Sequence, residues 1–386
     1  MATSTTSGTA ALFRWYVSSA TFAVPQAAGP VAFALVALAL TGDTSGGAAM
    51  ILAFTLAQVL GAIPLTRAGR SLAPTTYLRA LVLFRAVALG TVALMTHYAA
   101  PFIWLVAFSA LAGAVTGAAF GYLRAVLSEL APAGKLPRAL GISSTLNEVT
   151  FVLAPVLASG LGTVSPAFAV VALSCLGAIP ALLVPTAPSA PTEDVHAPDA
   201  SVLTPSILLW LMCAAAGGST VAALEIGAVG LALQFGYAPA LAILFTVPLC
   251  VASVAGGIWV SVRNRIASRR AVLIQLTVMT VGAIVVALQL SMAVTVAGAI
   301  LVGAVLAPLG TYYSLILDTL APPKKRPEVF ALLRTANATG VIIASAVMTA
   351  VSLSTALIVV SCLMASVVIV VGLASRPPMS VTPPAA

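Results

Sequence analysis

The sequence predicts an all-α membrane protein, with twelve transmembrane helices arranged as two pseudo-symmetric six-helix bundles. Three observations carry that prediction. Of the 386 residues, 61% are hydrophobic and only 7% are charged, against roughly 25% charged in a soluble globular chain. Basic residues recur in every second loop. A stretch of the second half repeats a stretch of the first, in register. With 17 Lys and Arg and 9 Asp and Glu, the chain cannot coat a surface of this size for water. A soluble enzyme and a disordered chain are therefore both excluded.

The helices follow from apolar run length. Crossing about 30 Å of hydrocarbon takes roughly 20 apolar residues. The runs here are continuous and longer than the roughly 10-residue alternating strands of an outer-membrane barrel. Helices 1 to 6 are expected over about 15–40, 48–66, 75–96, 101–127, 139–162 and 166–185. Helices 7 to 12 are expected over about 206–234, 238–262, 271–291, 294–317, 329–350 and 353–375. Residues 1–14 and 376–386 form tails, and the first carries no basic stretch of the kind that opens a cleavable signal peptide.

The loops fix the orientation. Arg14, Arg67, Arg70, Lys135, Arg138, Arg263, Arg265, Arg269, Arg270, Lys324, Lys325, Arg326 and Arg376 all fall on one side of this threading. The remaining arginines, Arg79, Arg85, Arg124 and Arg334, lie inside the spans. By the positive-inside rule both termini are expected in the cytoplasm, which places the chain in the cytoplasmic (inner) membrane. The net charge of +8 thus points to an anionic membrane surface and not to nucleic acid.

Residues 186–205 hold Pro188, Pro191, Pro198 and Pro205 with Glu193, Asp194 and Asp199, the composition of a flexible polar linker. It separates an N-terminal bundle, 15–185, from a C-terminal bundle, 206–375. Shifting the chain by 190 residues aligns 113–160 with 303–350, with 13 identities in 48 positions. Tyr122 meets Tyr312, Leu130-Ala131-Pro132 meets Leu320-Ala321-Pro322, and Asn147 meets Asn337. The two copies run in the same direction, as in parallel repeats about an axis along the membrane normal.

Chemistry is sought among ionisable groups at membrane depth, where a charge is expensive. Glu148 is expected near the middle of helix 5, beside Asn147, whose repeat mate is Asn337. It takes part in proton or substrate work, or it pairs with a buried arginine. Glu225 lies in the outer half of helix 7 among Gly217, Gly218, Gly227 and Gly230, either facing a cavity or wetted at the rim. Arg85 cannot face lipid and needs an acidic or carbonyl partner, with a structural ion pair favoured. Arg124, Glu129 and Asp318 are candidates for inward-side gating pairs or for solvated charges. Gln26, Tyr122, Tyr312 and Tyr313 could line a cavity, although core packing is the default for each. Gly113, Gly117 and Gly121 form a doubled GxxxG that lets two backbones touch, with packing inside a bundle the expected use. No phosphate-binding loop, metal-ligand cluster or catalytic constellation is visible, so no cofactor or metal and no enzymatic activity are expected. Cys175, Cys213, Cys250 and Cys362 form no CxxC pair.

Twelve helices in two like-oriented halves joined by a central linker resemble the major facilitator superfamily over about 14–375. The superfamily's loop between helices 2 and 3 usually reads G-x-L-A-D-R-x-G-R-R. Here the stretch is Ala62-Ile63-Pro64-Leu65-Thr66-Arg67-Ala68-Gly69-Arg70. Arg67, Gly69 and Arg70 keep the pattern, and Thr66 replaces the acidic residue. Helix 5 is similar to the pattern G-x8-G-x3-G-P-x2-G-G of the drug:proton antiporter branch at Gly141 and Pro155, with small residues in place of the other glycines. Arg67 and Arg70 are candidates for gating or structural charge, and the resemblance implies a central cavity lined by helices 1, 4, 7 and 10 and close packing at Gly141 and Pro155. It also implies alternating-access transport with a small-molecule solute and protons as partners. The reading preferred is proton-coupled export of a small amphiphilic or weakly cationic solute by a monomer. The alternative is proton-coupled import of a small metabolite such as a sugar, an organic acid or a metal-chelate complex. A membrane receptor or scaffold would need a larger soluble domain than these loops provide.

Overall fold

The computed structural model describes residues 3–42, 45–186 and 202–374. Most of the expected linker and the tail 376–386 lie outside the described residues. Twelve helices form: α1 Thr3–Thr41, α2 Ser45–Ala68, α3 Pro74–His97, α4 Phe102–Leu130, α5 Leu136–Gly162, α6 Pro166–Leu183, α7 Pro205–Gln234, α8 Ile243–Arg263, α9 Arg269–Leu288, α10 Met292–Leu320, α11 Arg326–Ala350 and α12 Leu353–Ala374. All twelve are long and apolar enough to span a membrane. No strand is present among the described residues. Helix is the economical answer in lipid, because each span satisfies its own backbone donors and acceptors.

The helices overrun the apolar windows, most clearly where the basic loops gather. There α4 and α10 continue to Leu130 and Leu320, while α5 and α11 begin at Leu136 and Arg326. Hydropathy marks where lipid begins, but a helix continues until something breaks it. Here the breakers are Pro132 and Pro322, each of which pushes the preceding alanine out of helical geometry. Ala131 has φ −89° and ψ 124°, and Ala321 has φ −80° and ψ 129°. A short 3-10 turn follows in both copies, Ala133–Lys135 and Pro323–Lys325. The repeated tripeptide is thus a repeated stop signal. Similarly, α1 begins at Thr3, well before the expected residue 15, because no proline interrupts the Ser/Thr/Ala-rich start.

The repeat extends to packing. In the first half α1 packs on α5 and α6, α2 on α4, and α3 on α4 and α6. Each pairing recurs six helices later, as α7 with α11 and α12, α8 with α10, and α9 with α10 and α12. Glycine makes the tightest of these approaches possible. Gly113 of α4 lies against the Phe54 carbonyl of α2, and Gly303 of α10 against the Leu249 carbonyl of α8, so a β-carbon at either would overlap backbone. Among the described residues one apolar core fills the C-terminal bundle and two fill the N-terminal bundle, one of which takes in Leu315 of α10 across the seam.

The bundles meet through α5–α8 and its counterpart α2–α11, and through α4–α11 and its counterpart α5–α10. The polar contacts across this seam gather towards the end that carries the basic loops, called the basic end below. Asn264 ties the bundles there. Its Oδ1 accepts from the Arg138 backbone N–H at 3.0 Å, and its Nδ2 donates to the Gly134 carbonyl at 2.8 Å.

Candidate functional site

At the basic end one acid organises the seam. Glu328 lies in the first turn of α11 and is 2% exposed. Its Oε1 accepts from Arg67 Nε at 2.9 Å and Nη2 at 2.8 Å, and its Oε2 pairs with Arg70. Sequence reading missed Glu328. Two signals pointed to it: it lies two residues after the basic loop Lys324–Arg326, and the repeat sets it opposite Arg138. The acid that meets the two arginines therefore comes from α11 of the other bundle. Thr66, at the position where the similar superfamily loop has its acid, turns its hydroxyl back to the Ala62 carbonyl.

Glu148 lies further along the seam, about 18 Å from the start of α5 at 1.5 Å per residue. It is half-buried, and Glu225 of α7 is exposed. The two carboxylates come from opposite bundles, and the Cys250 thiol of α8 lies in their neighbourhood. Neither has a basic partner among the described residues. Of the neighbouring amides, Asn337 donates to the Leu333 carbonyl of its own helix at 3.1 Å. Its backbone packs against Gly218 of α7, so Asn337 serves the α7–α11 contact.

Between these two levels sits a group of arginines. Arg334 of α11 bonds the side chain of Gln26 on α1. Its guanidinium carbon lies 5.3 Å from the centre of the Phe120 ring of α4, and that of Arg124 lies 5.7 Å from the same ring. Arg85 stands apart. It is 1% exposed, donates to the Phe22 carbonyl at 3.2 Å and the Gly177 carbonyl at 3.1 Å, and lies 4.1 Å from the centre of the Phe22 ring. The expected ion pair is thus corrected: carbonyls of α1 and α6 and an aromatic face hold Arg85.

The remaining candidates divide between bundle core and seam. Tyr122 is buried, donates to the Thr66 carbonyl at 2.9 Å and stacks edgewise on Tyr77. Tyr312 and Tyr313 pack around Trp210 inside the C-terminal bundle. Tyr122 and Tyr313 are core, whereas Tyr312 also lines a cavity of about 240 Å³ with Trp259, Arg263, Ser268 and Thr311. Asp318 faces Arg326 at 3.3 Å within its own bundle and Arg124 forms no ion pair among the described residues, so neither makes an inter-bundle gate, while Glu129 lies near Arg326 of the other bundle without a direct ion pair. Of the glycine series, Gly113 and Gly117 pack on α2, but Gly121 packs on Pro327 and Ala331 of α11, across the seam. Gly141 likewise meets Gly257 and Ser261 of α8, across the seam, while Pro155 lies inside α5. No cluster of three or more His, Cys, Asp or Glu suited to a metal occurs among the described residues.

Two like-folded helical bundles around a charged central seam define a multi-pass membrane transporter, and not an enzyme. The family model of the major facilitator superfamily matches residues 15–345. The chain belongs to the major facilitator superfamily. Solved structures agree on the fold. A bacterial homologue of the iron transporter ferroportin, in an outward-facing state, superposes with a TM-score of 0.77 at 14% identity, covering 96% of this chain and 99% of that one. The human organic anion transporter TETRAN gives 0.69 at 14% identity over 94% and 98%. The E. coli fucose:proton symporter gives 0.70 at 14% identity over 95% and 98%. A search of curated proteins found no match.

Proposed function

We propose that this transporter couples solute movement to protons through Glu148 and Glu225, by rocking of the two bundles about the seam. The observation that carries the reading is the carboxylate pair itself: two acids at the seam, one from each bundle, with no basic partner among the described residues. Separating or approaching the bundles changes the repulsion between them and their access to water. Proton uptake is thereby tied to the conformational cycle. The seam's polar ties at the basic end, with Glu225 exposed beyond them, suit a state open at the opposite end. With the basic end cytoplasmic by the positive-inside rule, that state faces outward and both termini lie on the cytoplasmic side of the inner membrane.

The solute is small and amphiphilic, since the seam offers few polar groups among much apolar surface. The similarity at Gly141 and Pro155 to the antiporter pattern supports export. The solutes named for the similar structures range from iron to organic anions and sugars, so fold alone does not select one. A weakly cationic cargo would draw on the two acids, whereas the arginines below them favour the opposite sign.

The test uses everted membrane vesicles carrying an imposed pH gradient, followed with a pH-sensitive dye. Anionic, neutral and cationic aromatic solutes are added in turn. One of them is expected to dissipate the gradient in the wild type and to fail in Glu148→Gln and Glu225→Gln. Solute counterflow without any proton movement in the wild type would overturn the coupling, and dissipation on solute addition to the outward-facing orientation alone would reverse the direction to import.

A further inference from the structure

The seam separates its charges. Glu148 and Glu225 stand on one level without a cation, and Arg124 and Arg334 stand nearer the basic end without an acid. The acid closest in sequence to Arg334, Glu328, is already occupied by Arg67 and Arg70. Gln26, the polar partner of Arg334, is neutral and leaves its charge uncompensated. Arg124 has no protein acceptor for Nε or Nη1, and Arg334 has none for Nε. Isolated charge at membrane depth is expensive, and here two cations share one aromatic ring.

Arg85 shows how this protein treats a structural arginine. It is sealed: two carbonyls accept from its Nη1 and Nη2 and a ring covers it, with Nε alone left without an acceptor. Arg124 and Arg334 are treated differently: both remain half-buried, and both lie near the apolar ring of Phe120. A planar guanidinium offers two parallel donors to a carboxylate or phosphoryl group. The ring offers a surface for an apolar body.

We propose that Arg124 and Arg334, with Gln26 and Phe120, form the binding site for an amphiphilic organic anion, so that the solute carries a carboxylate or phosphoryl group. This rests on the transport reading above and names its substrate class. The anion supplies the counter-charge that the bundles withhold, and the acids above it keep a second negative charge away until protonated.

The test is binding to purified full-length protein at fixed pH, without a gradient, so it does not depend on proton coupling. The probes are benzoate, phenylphosphonate, benzylammonium and benzyl alcohol, each titrated in a constant sodium chloride background while the unfolding midpoint is followed. A ligand that binds the folded state raises that midpoint. Benzoate or phenylphosphonate is expected to do so, with benzylammonium and benzyl alcohol at least about tenfold weaker. The effect is expected to fall about tenfold or more in Arg334→Gln and in Arg124→Gln, to survive in part in Arg334→Lys, and to be unchanged in Arg79→Gln. Stabilisation by benzylammonium equal to that by the anions would overturn the proposal, as would no stabilisation by either anion. Undiminished anion binding in both glutamine variants would also overturn it. If the glutamine variants do not fold, the comparison of charged probes on the wild type decides. Loss of proton coupling with anion binding intact would remove the role of the glutamates and leave this site standing.

Discussion

Glu328 shows how much a single side chain can decide. It is buried, while its partners Arg67 and Arg70 keep 57% and 40% of their side-chain surface in contact with solvent. That exposure weakens each pair through screening, but removing the acid leaves two cations facing each other at the helix end. Glu328→Gln is expected to cost about 1–3 kcal/mol of stability in the state closed at the basic end. Spin labels at Gly134→Cys and Arg265→Cys, in a background free of native cysteines, should then report a longer distance than in the parent. An unchanged distance distribution would show that the acid does not hold the seam. Arg85 makes the converse case. Arg85→Leu is expected to lower the unfolding midpoint by loosening α1, α3 and α6 from one another, while solute binding persists. Arg85→Lys is expected to recover only part of the loss, because an ammonium cannot span two carbonyls and a ring face as a guanidinium does.

Helices bring a different logic, in which the position of one methyl group separates folding from function. Gly113 and Gly121 belong to the same GxxxG series on α4, yet they face different helices. Gly113 touches α2 within its bundle, and Gly121 touches α11 of the other bundle. Gly113→Val should disrupt the bundle itself, with the overpacking cost of about 1–3 kcal/mol typical of filled cores. Gly121→Val should leave each bundle folded and instead prevent the basic end from closing. Thermal unfolding measures the first effect, and the Gly134–Arg265 label distance measures the second. If both substitutions only lowered stability, the seam would be rigid packing and not a moving contact.

Taken as a whole, the molecule is a pair of similar bodies related by a packing scheme that recurs six helices apart. The basic end is common to both, so the arrangement predicts a sided protein. In intact cells, Thr163→Cys at the far end of α5 should react with an impermeant maleimide. Gly134→Cys at the basic end should react only after the membrane is opened. Equal labelling of both from outside would break the orientation, and with it the assignment of the closed end to the cytoplasm.

The twelve spans, the two-fold repeat and the gathering of basic loops at one end were legible in the sequence. Each depends on contiguous stretches. Apolar length sets a span, Pro132 and Pro322 stop the helices, and loop charge accumulates locally. The register of the helix ends was less legible, because a helix runs past its apolar window to the next breaker. Which charge meets which was not legible. The Arg67–Glu328 pair joins residues 261 apart in the chain, and the Gln26–Arg334 pair joins residues 308 apart. Whether Tyr122, Tyr312 and Tyr313 faced a cavity or a core, and whether Gly121 served its own bundle or the other, depended on how each helix is rotated in its bundle. That rotation is fixed by side chains interlocking across several helices at once, which no local pattern of residues records.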